Sequence, residues 1–316
     1  MKAFGYEKFG DPDVFQTFEL PEPTLKTATD VKIKTLAVGL NNFERSQRDG
    51  DFGGGKFPLI PGRDIVGEVV KTGDDVQNVA TGDIVIGHGG PAYAEYAVLP
   101  AQRVVIKPES ATVAEAVTLV TPGITAYNAA TVFTQVKRGD HVFVNGATGG
   151  VGALAAQIAK NLGAYVIGTG SSRNLALLEE LPLDEIGLYD KDDLAEKFAN
   201  SADVVINAAM NGNNGELLGA VIKDGGQAAS VGGDTDFGHK QVAFEHIRPL
   251  NAEHDQTALT NLAKMLGEGT LAAKIFKELP LTLDGVIEGH KLLEQHHAPV
   301  SYTHLRAHET KANLVC

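Results

Sequence analysis

The 316-residue chain has no tryptophan, three methionines and a single cysteine, Cys316, and aromatic residues make up only 6% of it. One thiol excludes an internal disulfide and any centre built from several thiolates. No apolar run approaches the ~20 residues needed to cross a bilayer, and the N-terminal Met-Lys-Ala-Phe-Gly-Tyr-Glu-Lys opens a polar strand instead of a signal peptide. A cytoplasmic protein without membrane contact is expected. Basic residues are also short, 27 against 40 acidic ones, for a formal charge of −13. A nucleic-acid surface needs clustered Lys and Arg to neutralise phosphates, so such partners are not expected. The ten histidines are scattered; His246, His254, His290, His296 and His297 read as surface imidazoles, with no metal cluster among them.

What is abundant is glycine and apolar residues, 36 glycines and 43% hydrophobic content, and the most informative glycines lie between residues 141 and 160. There an apolar strand, 142–144, runs through Gly146, Gly149 and Gly152 into an alanine-rich helical stretch. Glycines spaced in this way make a tight turn, admit a pyrophosphate close to the backbone and let the helix pack on the strand. The helix N-terminus supplies N–H donors and positive potential. Gly146, Ala147, Gly149, Gly150, Val151 and Gly152 are therefore candidate cofactor-binding residues, because the strand before and the helix after give the pattern its required context.

Around that motif the chain divides. Residues 1–121 carry short apolar or alternating runs at 31–37, 64–71, 83–87, 92–99 and 103–106, separated by Gly and Pro, as in a β-rich barrel. Helical periodicity appears at 113–119 and 124–133. Candidate strands at 142–145, 165–169, 186–190, 204–208, 227–231 and 242–247 then alternate with helical stretches, which requires a parallel sheet. The fold class expected is α/β: a barrel domain at 1–121, a doubly wound cofactor domain at 122–268, ending in a helix that closes at 267, and a return segment at 269–299. Residues 300–310, Val-Ser-Tyr-Thr-His-Leu-Arg-Ala-His-Glu-Thr, are the one-frame translation of a transposase-type sequencing adapter. Residues 300–316 are accordingly expected to be a non-native read-through tail outside the fold, the alternative being a genuine polar C-terminus.

An NAD-preferring domain carries an acidic residue about 20 positions past the glycine turn, to bond the ribose 2′-hydroxyl. Here that place reads Thr169-Gly170-Ser171-Ser172-Arg173. Two hydroxyls and a guanidinium suit a 2′-phosphate, so NADPH is the expected cofactor; the alternative is a helix-capping Ser-Ser beside a solvated Arg. Ser230 and Val231 close the fifth strand of the cofactor domain and are candidates for the nicotinamide ribose.

Beyond the glycine turn, Gly39-Leu40-Asn41, the stretch Pro58-Leu59-Ile60-Pro61-Gly62-Arg63-Asp64-Ile65-Val66-Gly67, Thr81-Gly82-Asp83, Ala92-Tyr93-Ala94-Glu95-Tyr96 and Pro122-Gly123-Ile124-Thr125-Ala126-Tyr127 complete a set. Over residues 1–299 the chain resembles the medium-chain dehydrogenase/reductase superfamily, in its zinc-free quinone oxidoreductase branch, of the zeta-crystallin type. The resemblance implies a GroES-like barrel followed by a Rossmann domain. Zinc-dependent members carry Cys where this chain has Asn41-Asn42, and His-Glu where it has Arg63-Asp64; the four-cysteine structural lobe is missing too. No metal is expected, since arginine cannot ligate zinc.

The resemblance further implies that Asn41 faces nicotinamide and substrate and can donate to a developing oxyanion, although Asn after Gly-Leu also suits a turn. It places Thr125 against the cofactor, or else as a helix-start hydroxyl, and Tyr189 beside the adenosine phosphate. Tyr93 and Tyr96 fill the barrel or wall the cleft, and Arg63 with Asp64 reads as a structural ion pair, the alternative being contact with substrate. The implied reaction is NADPH-dependent hydride transfer to a small-molecule quinone or enone, in a homodimer as is common in the family. An enoyl-thioester reductase, or a non-catalytic NADPH-binding protein of crystallin or redox-sensing type, remains an alternative on the same fold.

Overall fold

The computed structural model describes residues 1–209, 215–295 and 303–307. The chain separates into two compact units, one comprising Met1–Thr121, Ala252–Gly267 and Ala273–Cys316, the other Pro122–Asn251 and Glu268–Ala272.

The second unit is built on a six-stranded parallel sheet. In chain order its strands are His141–Asn145, Tyr165–Gly170, Glu185–Leu188, Ala202–Asn207, Ile222–Ser230 and Ala243–His246, and they lie side by side as third, second, first, fourth, fifth, sixth. This is the doubly wound order, which reverses direction between the first and fourth strands and opens a crevice at their carboxyl ends. Val142, Phe143 and Val144 are fully buried, the mark of a central strand covered on both faces. The helix Gly150–Asn161 turns an almost unbroken apolar run, Ala153 to Ala159, against the sheet.

In the first unit a mostly antiparallel sheet carries, in order, Lys277–Pro280, Thr303–Arg306, Asp30–Gly39, Asp64–Thr72, Ile84–His88 and Val104–Ile106, and Tyr96–Pro100 also pairs with Asp30–Gly39. Its core gathers Phe4, Val31, Ile33, Ile65, Val69, Val85, Tyr93 and Leu99. Three placements differ from the sequence reading. The helix Ala252–Gly267 groups with this unit and not with the cofactor domain. It packs on Val104–Ile106, and its Asp255 meets His88 at 3.1 Å.

The second difference is His290, expected at the surface but fully buried. The Arg48 guanidinium, which can only donate, meets His290 Nδ1 at 3.2 Å, so Nδ1 accepts and Nε2–H faces the Tyr93 hydroxyl at 3.3 Å. Burial, with the Arg48 charge beside it, pushes the imidazole down to about 3. Arg48 itself is anchored to Gly10 O, Asp49 and Glu294, tying the helix Asn42–Asp49 to the helix Leu283–Glu294. His296 and His297 lie outside the described residues.

The third concerns the C-terminal segment. Residues 303–306 were expected outside the fold; instead they form a strand between Lys277–Pro280 and Asp30–Gly39. Leu281 N–H donates to Arg306 O at 2.7 Å, Ala307 N–H to Leu36 O at 2.9 Å, and Leu305 is fully buried. Main-chain hydrogen bonds are indifferent to side chains, so four residues with one inward leucine suffice to fill the slot. Leu305→Ala should therefore cost about 2–5 kcal/mol of stability, read from urea denaturation. An unchanged midpoint would return this segment to the exterior.

Candidate functional site

At the carboxyl end of the first parallel strand, Gly146 adopts φ +77°, a left-handed conformation open to glycine with little strain. A Cβ on Gly152 would drive into the Gly146 carbonyl oxygen, so turn and helix meet at a distance only glycine allows. Gly149 differs. It caps the helix with extended backbone, φ −84° and ψ 166°, and a Cβ there would meet only Gly146 O at 3.4 Å. The space in front of Gly149 is open, and a helix of twelve residues begins behind it. Ala147 is fully buried with its N–H donating to Thr169 O at 2.8 Å, and Gly150, Val151 and Gly152 form the first turn of that helix.

A row of buried polar side chains crosses the same sheet edge. Thr169 Oγ1 donates to Asn145 Oδ1, Asn145 Nδ2 to Asn207 Oδ1, and Asn207 Nδ2 to Ser230 Oγ, each at 2.9 Å. Two ends of the row reach the turns: Gly146 N–H donates to Thr169 Oγ1 at 3.2 Å and Gly232 N–H to Ser230 Oγ at 3.0 Å. The Asn145–Asn207 bond spans the strand pair where the order reverses. Of this row the sequence reading had only Ser230. Asn145, Thr169 and Asn207 were missed, though an amide ending each of two apolar strand runs was a visible signal. Val231, half-buried, is held by its N–H to Asn207 O.

Ser171, Ser172 and Arg173 follow the second strand, and Tyr189, 59% exposed, follows the third. The two hydroxyls are not both free for a phosphate, as the sequence reading had them. Ser171 is 4% exposed and its Oγ accepts from Arg173 N–H at 3.4 Å; Ser172 donates its N–H and hydroxyl to Asp190. Arg173 is exposed, and its guanidinium makes no ion pair with a described residue. Thr125 lies half-buried on the helix Ile124–Asn128.

Asn41 belongs to the first unit, where it caps the helix Asn42–Asp49. Its backbone N–H donates to Glu44 Oε2 at 3.1 Å, and its side-chain Nδ2 to Asp64 Oδ2 at 2.8 Å. Asp64 is buried and also accepts from Thr121, from N–H at 3.1 Å and from Oγ1 at 2.6 Å. Gly39 makes room for this: a Cβ there would stand 2.8 Å from the Asp64 side chain. The Asn41 amide has two hydrogens, one of which Asp64 fixes. Arg63 does not pair with Asp64 as expected. Its guanidinium lies over the Phe43 ring, 3.2 Å from the centroid, with Nε 3.9 Å from Glu44 Oε1. Tyr93 is fully buried in the core and Tyr96 is half-buried. Among the described residues no three His, Cys, Asp or Glu side chains are grouped to hold a metal, and no helix is long and apolar enough to cross a membrane.

Glu44 is completely buried, its Oε1 without a hydrogen-bond partner. Burial and the neighbouring Asp64 charge, only partly offset by Arg63, push its carboxyl up to about 8. The folded chain thus binds a proton that the unfolded chain releases between its ordinary carboxyl pKa, 4.5, and about 8. Stability contributed by this group falls as pH rises through that window. Glu44→Gln keeps a side chain that can close the capping box and removes the titration. The difference in urea midpoint should be smallest at or below about pH 4.5, grow in the variant's favour through the window and level off above about pH 8. A constant difference across pH 5–8.5 would place the proton elsewhere.

Comparison with known proteins gives this geometry a context. Residues 27–109 match the family model of the alcohol dehydrogenase GroES-like domain, and residues 150–254 match that of the zinc-binding dehydrogenases. The chain is 31% identical over 312 residues to the 2-methylene-furan-3-one reductase of Solanum lycopersicum, covering 93% of this chain and 76% of the relative. It is 28% identical to the chloroplastic NADPH-dependent alkenal/one oxidoreductase of Arabidopsis thaliana, across 94% and 78% of the two chains. With the chloroplastic quinone-oxidoreductase QR1 of Triphysaria versicolor, identity is 35% over 199 residues, and the match spans 59% of this chain and 60% of the relative's length. The solved quinone oxidoreductase from Coxiella burnetii superposes with a TM-score of 0.82 at 29% identity, covering 98% of this chain and 99% of that one.

Proposed function

This oxidoreductase belongs to the medium-chain dehydrogenase/reductase family, and on that premise we propose that it passes hydride from NADPH to a quinone or to the β-carbon of an α,β-unsaturated carbonyl, without a metal. The observation that carries the reading is the glycine turn with its polar row at the reversal of the parallel sheet. That turn fits a dinucleotide: Gly146 and Gly152 bring backbone and helix together, and the open side of Gly149 lets a pyrophosphate reach the helix N-terminus. When bound, the nicotinamide supplies a hydride to an electrophilic carbon. The chain's own residues do the rest. Gly146, Ala147, Gly149, Gly150, Val151 and Gly152 line the phosphates; Thr125, Ser230 and Val231 serve the nicotinamide end; Ser172, Arg173 and Tyr189 serve the adenosine end.

Asn41 is assigned the oxygen of the acceptor. Asp64 holds one amide hydrogen at 2.8 Å, which fixes the direction of the other. An amide so oriented stabilises negative charge developing on an oxygen without reorganising as it forms. Metal independence is supported by the donors: Arg63 lies over Phe43 and cannot ligate, and the Asn41 amide takes the place of a thiolate. NADPH is supported by Arg173 and by the NADPH-dependent relative from Arabidopsis thaliana. A cytoplasmic location and, from the family resemblance, a homodimer complete the reading.

Steady-state NADPH oxidation with a panel of quinones, enals, enones and acyl thioesters tests it. Quinones or enones should turn over, and prolonged chelation should leave the rate unchanged. Arg173→Ala should weaken NADPH about tenfold relative to NADH, toward the low end for a charge-assisted bond because Arg173 is exposed. Activity lost on chelation and restored by zinc would contradict the metal-free mechanism. Cofactor binding with no turnover of any acceptor would leave a non-catalytic binding protein.

A further inference from the structure

The loop assigned to the adenosine end already holds an anion, and that anion belongs to the chain. Asp190 stands two residues past the third parallel strand, Glu185–Leu188, and takes both donors of Ser172: the backbone N–H reaches Oδ1 at 2.7 Å and the hydroxyl reaches Oδ2 at 2.5 Å. Its position is fixed by the sheet. Leu188 and Gly170 are partners across the parallel pair, and Tyr189 N–H donates to Gly170 O at 3.1 Å, so the residues leaving the two strands are locked side by side. The Ser172 bonds hold the Asp190 carboxyl below the usual range, so it is an anion at neutral pH. The acidic residue missing from the end of the second strand is thus delivered from the end of the third.

We propose that Asp190 is a specificity-determining residue for the cofactor: its carboxylate occupies the Ser172 donors in competition with a 2′-phosphate, and so limits the preference for NADPH that Arg173 creates. The proposal rests on the reading that Ser172 and Arg173 face the 2′-position of the adenosine ribose. A phosphate there carries about −1.5 to −2 charge. Either it takes Ser172 and leaves Asp190 as an unpaired like charge beside it, or it leaves Ser172 to Asp190 and keeps only Arg173. Both arrangements weaken binding. A 2′-hydroxyl meets no such conflict, since it can donate to the remaining lone pairs of the carboxylate.

Calorimetric titration with 2′,5′-ADP and 5′-AMP, which differ only in that phosphate, tests the proposal on the wild-type chain, Asp190→Asn and Arg173→Ala. Asparagine keeps an acceptor oxygen for Ser172 and removes the charge, and Asp190 is exposed, so the fold should persist; a thermal melt checks it, and Asp190→Ser serves as a second variant. Asp190→Asn should bind 2′,5′-ADP about three- to tenfold more tightly, the upper range for an exposed charge pair, with 5′-AMP unchanged or weaker. The gain should shrink at high salt. If Asp190→Asn and Asp190→Ser bind 2′,5′-ADP no better while Arg173→Ala weakens it selectively, the phosphate seat is correct and the proposal is overturned. If Arg173→Ala weakens both ligands alike, the seat itself is misassigned and the proposal falls with it.

Discussion

The contact between Gly152 and the Gly146 carbonyl is the constraint on which the cofactor unit depends. It brings the helix Gly150–Asn161 onto the first strand with no side chain between them, and this aims the helix N-terminus at the crevice where strand order reverses. The polar row Thr169–Asn145–Asn207–Ser230 is the second half of the same arrangement. Four strand ends whose backbones point into a crevice need their side-chain amides and hydroxyls satisfied, and here they satisfy one another. All four side chains are buried, so each bond in the row replaces one to water.

In the first unit Asp64 plays the comparable part. A buried carboxylate is expensive unless its oxygens are bonded, and Asp64 meets that requirement with Asn41 and Thr121. Asn41 is thereby pinned, with one amide hydrogen committed. Glu44, next to this charge and short of partners, keeps its proton instead. Of two carboxyl groups of similar burial, one is met by donors and the other has a like charge beside it, which raises it. Arg63, lying over Phe43, moderates the second.

Much of this was legible from residue order. Apolar runs between glycines marked the parallel strands, and the glycine spacing marked the tight strand–turn–helix junction at Gly146–Gly152. What escaped had physical reasons. Asn145 and Asn207 sit one position beyond apolar runs, where an amide reads as a strand end unless the strands are known to be neighbours. His290 lies at a helical position whose burial depends on Arg48, 242 residues away in sequence. The strand Thr303–Arg306 is held by main-chain bonds and one leucine, so its side-chain pattern carried almost no signal. Asp190 reaches Ser172 through strand pairing, which no count along one loop reveals.

Gly149 offers the most direct test of the central claim that the glycine turn receives a dinucleotide, because its backbone lies where any residue can follow and a Cβ there would make only van der Waals contact with Gly146 O, at 3.4 Å. In Gly149→Val the fold should be retained, by circular dichroism and thermal melt, while fluorescence titration finds nicotinamide-cofactor affinity reduced by at least about a hundredfold, the ~3 kcal/mol equivalent of losing close backbone contact with the pyrophosphate. A folded Gly149→Val chain that binds the cofactor as tightly as wild type would contradict the account.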